Sequence, residues 1–161
     1  DVYKRQAKNY LKKRTESRRS MARFFEKITV QKNYTGEYVI HRGRNVTAFL
    51  DVSDPKHPKY DPKKEKDDES GVPAAKRVHV LVVPNTPREH IGKKLGATID
   101  SSDLQATLRV VKEAEKIAKT LNLKNPRVYM NAESRIGVGY LHVHIVGEKT
   151  SKTKYVAPLS P

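Results

Sequence analysis

Two histidines one residue apart, His142 and His144, stand in the run Tyr140-Leu141-His142-Val143-His144-Ile145-Val146-Gly147. Extended as a β-strand, the run alternates with a period of two. Tyr140, His142, His144 and Val146 then share one face, and Leu141, Val143 and Ile145 share the other, apolar one. The two imidazoles are about 7 Å apart on a rigid backbone, close enough for both to meet one phosphate or one metal ion. A neutral imidazole can attack phosphorus through one nitrogen while the other keeps its proton on an acceptor. A strand with two surface histidines is the plainer alternative. Gly137-Val138-Gly139, just before the run, favours a ligand, because small residues let one approach the backbone closely.

Such a strand needs a domain to hold it. The chain has 161 residues, of which 36% are hydrophobic and 32% charged. That length suits one domain with a core, and the polar excess points to tails or a solvated insertion. Cysteine is absent, which excludes a disulfide framework, a thiol nucleophile and a Cys-based zinc site. No apolar run approaches membrane-spanning length and no apolar leader is present, so the expectation is a soluble cytoplasmic protein that does not engage a membrane. The net charge is +15, and residues 1–27 hold ten Lys/Arg against three Asp/Glu. A basic segment of this kind suits polyanions through counterion release, or serves solubility alone.

The opening Asp1 to Gln6 reads as an extraneous lead-in that does not belong to the fold. Residues 7–27 lack Gly and Pro and are helix-compatible; 1–20 read as an exposed basic arm, with Met21, Phe25 and then Phe24, Ile28 docking on the domain. Tyr38 to His41 and Val46 to Val52 read as two strands of an antiparallel hairpin, turning at Arg42-Gly43-Arg44-Asn45. Residues 53–76, with four prolines and a mixed charge run, read as a mobile insertion loop. Val78 to Pro84 is the most apolar strand. A helix capped by Ser102 or Asp103 runs to Leu121, with a stripe at Leu104, Leu108, Val111, Ala114, Ile117, Ala118 and Leu121. Arg127 to Asn131 and Tyr140 to Val146 are the last strands, and 150–161 form a tail. The expectation is an α+β domain over 21–149: a five-stranded, mostly antiparallel sheet with one long helix and an N-terminal helix.

In this order the pieces resemble the histidine triad (HIT) superfamily, in its nucleotide-binding, phosphoramidase-like branch. The anchors are Phe24-Phe25-Glu26-Lys27-Ile28, Ala48-Phe49-Leu50-Asp51-Val52-Ser53, His79 to Pro84 with His90-Ile91, Asn131, and His142-Val143-His144-Ile145-Val146. The family pattern is His-φ-His-φ-His-φ-φ, and here Tyr140 replaces its first histidine. Ile136-Gly137 stands where relatives carry a phosphate-contacting pair, and the insertion before His79 is an addition.

The resemblance implies nucleotidyl transfer through a covalent nucleotidyl-histidine, without cofactor or metal. His142 would be the nucleophile, and His144 a donor to the phosphoryl oxygens or leaving group, with His79 and Tyr140 supporting them. A tyrosine hydroxyl donates and accepts but carries no positive charge at neutral pH, which implies slower chemistry. Asp51 would accept from the ribose hydroxyls, with Val52, Phe25, Ile28 and Phe49 around the base, and Asn131 and Gly137 near phosphate or sugar. Each apolar member would serve equally as core. By residue type His79, His90, His142 and His144 are also conceivable zinc ligands. The expected partners are a purine nucleotide or nucleotide conjugate and a second copy in a homodimer. A HIT-like scaffold with weak catalysis, binding RNA or another polyanion through residues 4–27, is the competing function.

Overall fold

A computed structural model describes residues 2–9, 25, 27–29, 39–85, 104–131 and 141–154. Tyr140, Gly137, His90 and most of the basic arm lie outside them. Within them are five strands: β1 (Val39–Arg42), β2 (Val46–Leu50), β3 (Arg77–Pro84), β4 (Lys124–Tyr129) and β5 (Val143–Glu148). A long helix, α1 (Leu104–Leu121), separates β3 from β4. Residues 2–9, 25 and 27–29 are also helical. The sheet order is β1-β2-β3-β5-β4, every pair antiparallel. This is the α+β sheet-and-helix arrangement expected from the sequence.

β3 is the spine. Its β-branched run suits a pleated interior position, and all eight residues are buried between β2 and β5. Register sorts the side chains into two faces. Phe49, Leu81, His144 and Tyr129 lie in one cross-strand row, and His79 pairs with Val146 on the same face. Ala48, Val80, Val82, Val143, Ile145 and Val128 occupy the opposite face, beneath α1. Gly147 shows how closely that side is packed: a Cβ there would stand 2.9 Å from Leu123 Cβ, just past the helix.

The element ends differ from the sequence reading in ways with physical causes. β2 stops at Leu50, and the chain turns at Asp51, whose N–H still bonds the carbonyl of His79 at 3.0 Å. β4 starts earlier than Arg127, because an irregularity between Lys124 and Arg127 accommodates Pro126, which has no N–H to give the ladder. β5 begins at Val143, leaving His142 just before the ladder. In α1 the buried stripe is Val110, Ala114, Ile117, Ala118 and Leu121, whereas Leu104 and Leu108 are 78% and 55% exposed. At 100° per residue Leu108 lies about 120° round the helix from Ala114, off the face that meets the sheet.

Residues 53–76, expected as a mobile loop, have a hydrogen-bonded architecture of their own. Successive turns carry the chain from Asp51 to Tyr60, and a 3-10 helix follows over Pro62–Asp67, capped by Asp61. Asp54 is fully buried and its carboxylate accepts from the backbone N–H of Lys56 and of His79, both at 2.9 Å. Arg77, 1% exposed at the start of β3, ties the segment down. Its guanidinium donates to the carbonyls of Ser53 (2.8 Å) and Val72 (2.9 Å) and pairs with Glu65 and Asp68. Those bonds, with one from Tyr60, hold the Glu65 carboxyl down at about 2. The sequence hid this order because it comes from polar pairing around one arginine and not from apolar burial.

Removing that arginine should undo the segment. Arg77→Leu is expected to cost about 1–3 kcal/mol, the usual loss when buried acceptors, here the carbonyls of Ser53 and Val72, are left unsatisfied. Limited proteolysis should then cut within residues 53–76 faster than in the parent chain. Lys64→Ala, on the exposed side of the 3-10 helix, should stay within about 0.5 kcal/mol by urea denaturation.

Candidate active site

Register brings the chemistry together. His79 on β3 and His144 on β5 lie diagonally on one sheet face, and His79 Nε2 is 2.9 Å from His144 Nδ1. His142 follows on the same side, its ring centroid 5.1 Å from that of His144. Tyr129, opposite His144 in the ladder, stacks on it with centroids 4.8 Å apart and rings nearly parallel. Asn131, just past β4, places its side-chain nitrogen 3.4 Å from His144 Nε2.

Behind His79 the network continues. Its Nδ1 lies 2.6 Å from Ser53 Oγ and 3.5 Å from Asp51 Oδ2. Ser53 binds the same carboxylate oxygen twice, through its N–H at 3.0 Å and its hydroxyl at 2.6 Å. This is the local turn that serine two residues after aspartate favours. Asp51, Ser53, His79, His144 and Asn131 therefore form one continuous hydrogen-bonded line across the sheet end.

Burial sets the charge states. His144 is 9% exposed, and desolvation, reinforced by the neighbouring His79 and His142, pushes its pKa down to about 3 against the pull of Asp51. His79 is lowered as well, mainly by desolvation, although Asp51, Asp68 and Asp54 favour its charged form. For Asp51 burial opposes ionisation, but His79 and the two bonds from Ser53 outweigh it and its pKa falls. The resting site is a carboxylate facing two neutral imidazoles.

A cleft of about 880 Å³ opens on this line. Asp51, Val52, His79, Asn131 and His144 form its floor, and Tyr60, Lys64 and Glu69 of the 53–76 segment belong to its wall. Phe25, Ile28 and Phe49 are buried beside this line. They are 2%, 0% and 2% exposed and packed into the core, with Phe25 edge-on to Phe49 and to His142. Phe25 thereby links the N-terminal helical residues to the His142 side of the site, and Phe49 shares the cross-strand row of His144. Tyr140 and Gly137 fall outside the described residues. Among the described residues no three His, Asp or Glu side chains are grouped as a metal would require.

Two contributors escaped the sequence reading. Ser53 was present only as the end of the Asp51 strand, and its spacing from Asp51 was the available signal. Tyr129 shares period two with Asn131, but nothing in the sequence pairs it with His144.

No protein-family model and no curated protein matches the chain. Among solved structures it is similar to a HIT family hydrolase from Clostridium thermocellum, at 20% identity over 73% of this chain and 84% of that one, with a TM-score of 0.41. It is also similar to a Hit-like protein involved in cell-cycle regulation from Bartonella henselae, at 19% identity over 84% and 85%, with a TM-score of 0.45. Identities and scores are low, so the residues of the site carry the functional case.

The depressed His144 makes a stability prediction. Its folded pKa of about 3 lies below the ordinary histidine value, so below about pH 6.5 the unfolded chain takes up a proton that the folded chain does not. Stability from this residue is full above pH 6.5 and falls on acidification by about 1.4 kcal/mol per pH unit. Between pH 7 and 5 the parent chain should lose about 2 kcal/mol more than His144→Phe in urea titrations. Equal losses would place the His144 pKa near its ordinary value.

Proposed function

We propose that this chain is a nucleotide-binding hydrolase of the histidine triad type, cleaving nucleoside phosphoramidates or related nucleotide conjugates through a nucleotidyl-histidine. The observation that carries the reading is the convergence of Asp51, His79, His142 and His144, from three separate stretches, on one end of one sheet face. Asp51 sits on the cleft floor with only Oδ2 taken by Ser53, which suits a ribose hydroxyl at Oδ1. Asn131 offers an amide donor to sugar or phosphate. His142 is the nucleophile in this reading, and His144 acts on the phosphoryl oxygens or leaving group.

A second reading keeps the scaffold and drops the chemistry. Ten Lys/Arg against three Asp/Glu in residues 1–27 support RNA or another polyanion along residues 4–27. Steeply salt-dependent binding that survives loss of His142 would favour it.

The homodimer belongs to the same proposal. Leu104 and Leu108 leave exposed apolar surface one turn apart on α1, and pairing two copies there would bury it. Light scattering at micromolar concentration should give a dimer, and Leu104→Lys with Leu108→Lys a folded monomer. A monomeric parent chain would remove this part of the proposal.

The mechanism is tested at His142. His142→Ala should abolish turnover of a nucleoside phosphoramidate while nucleoside monophosphate affinity changes by no more than about tenfold, or about 1.4 kcal/mol. His144→Ala should slow the reaction without stopping it. Because a phosphorus–nitrogen bond to histidine is acid-labile, the adduct should be trapped by alkaline quench and located by mass. Full activity in the alanine variant, or an adduct on another residue, sinks the mechanism.

A further inference from the structure

We propose that Asp51, Ser53, His79 and His144 form a directional proton relay, which takes a proton at His144 Nε2 and delivers the positive charge to His79. Ser53 is the positioning residue that sets its direction. The relay rests on the hydrolase reading above for its use, but its proton positions follow from the hydrogen-bond geometry with Asp51 ionised and both imidazoles neutral.

Ser53 Oγ is 2.6 Å from Asp51 Oδ2 and 2.6 Å from His79 Nδ1, and it has one proton to give. A carboxylate can only accept, so that proton points to Asp51 and a lone pair points to His79. His79 Nδ1 must therefore carry hydrogen. Neutral His79 then has a bare Nε2, and His144 Nδ1, 2.9 Å away, must be the donor between them. Neutral His144 is left with a bare Nε2, and there the nearby group is the amide nitrogen of Asn131, itself a donor. Each proton position follows from the one before it. The resting His144 thus presents an acceptor to the cleft, whereas the family resemblance implies a donor there.

An acceptor at that place serves the hydrolytic half of the reaction. When water attacks the nucleotidyl group on His142, an oxygen–phosphorus bond forms and the phosphorus–nitrogen bond breaks. Its electron pair returns to the His142 ring. One water proton passes to His144 Nε2, and the proton on His144 Nδ1 crosses to His79 Nε2. The charge then rests on His79, 3.5 Å from the Asp51 carboxylate. There Asp51, Asp54 and Asp68 favour it and Arg77 opposes it, whereas at His144 only Asp51 favours it, against His142 and the His79 ring. His79 Nδ1 keeps its proton on Ser53 throughout. Return of the proton to solvent through the same line resets the site.

Nitrogen-15 spectra of the full chain with labelled histidines, free of nucleotide at neutral pH, read the tautomers directly. His79 and His144 should both be Nδ1–H in the parent protein. Ser53→Ala should shift both toward Nε2–H, and Ser53→Thr, which keeps the hydroxyl, should restore the parent spectrum. On a nucleoside phosphoramidate, Ser53→Ala should lower kcat by about tenfold or more with KM little changed. An Nε2–H tautomer at either histidine in the parent chain overturns the relay, whether or not any variant folds. Unchanged tautomers or unchanged kcat in Ser53→Ala overturn the role of Ser53. Parent tautomers as expected, with no turnover, would uphold the relay and remove only the hydrolase reading.

Discussion

The antiparallel register of β3 against β5 pairs Leu81 with His144 and His79 with Val146, and this sets two imidazoles diagonally on one face. At that spacing Nε2 of one meets Nδ1 of the other at 2.9 Å. A slip of one residue would turn every β5 side chain to the opposite face and carry His144 under α1. The apolar partners prevent it. Val143 and Ile145 are fully buried on the helix side, so the energy that holds the register comes from aliphatic burial while the polar face holds the site.

The cost of that arrangement is a buried polar network that has to be satisfied. His79 and His144 lie in surroundings that disfavour their charged forms, and each ring nitrogen has a neighbour able to complete it. Ser53 is where this network joins the 53–76 segment: its side chain meets Asp51 and His79, and its carbonyl accepts from Arg77. Arg77 in turn gathers Glu65 and Asp68. The polar segment and the imidazole pair are thereby held by adjacent parts of one hydrogen-bonded system. A wall of the cleft and the groups on its floor are fixed together.

Much of this architecture was legible in the residues. The alternation around His142 and His144, the aliphatic run of β3, the turn between β1 and β2 and the helical period of α1 each report a local preference, and local preferences survive folding when burial agrees with them. They failed where two local rules compete. The strand expected from Arg127 starts at Lys124, because an irregularity in the ladder lets it run through Pro126. Leu104 and Leu108 fit a helical stripe by type, yet the stripe that meets the sheet is phased from Val110 and Ala114.

The sequence by itself determined the strands, their apolar and polar faces, and the residue types capable of phosphoryl chemistry, because periodicity is a property of neighbours along the chain. Only the tertiary structure decided which of those residues meet. Ser53, His79 and His144 are separated by 26 and 65 positions, and no spacing rule links them. The same holds for Tyr129 against His144 and for Arg77, at the start of β3, against Glu65 and Asp68. Hydrogen bonds and ring stacking depend on ångström-scale placement across strands, so register, set by the packing of the opposite face, had to be known first.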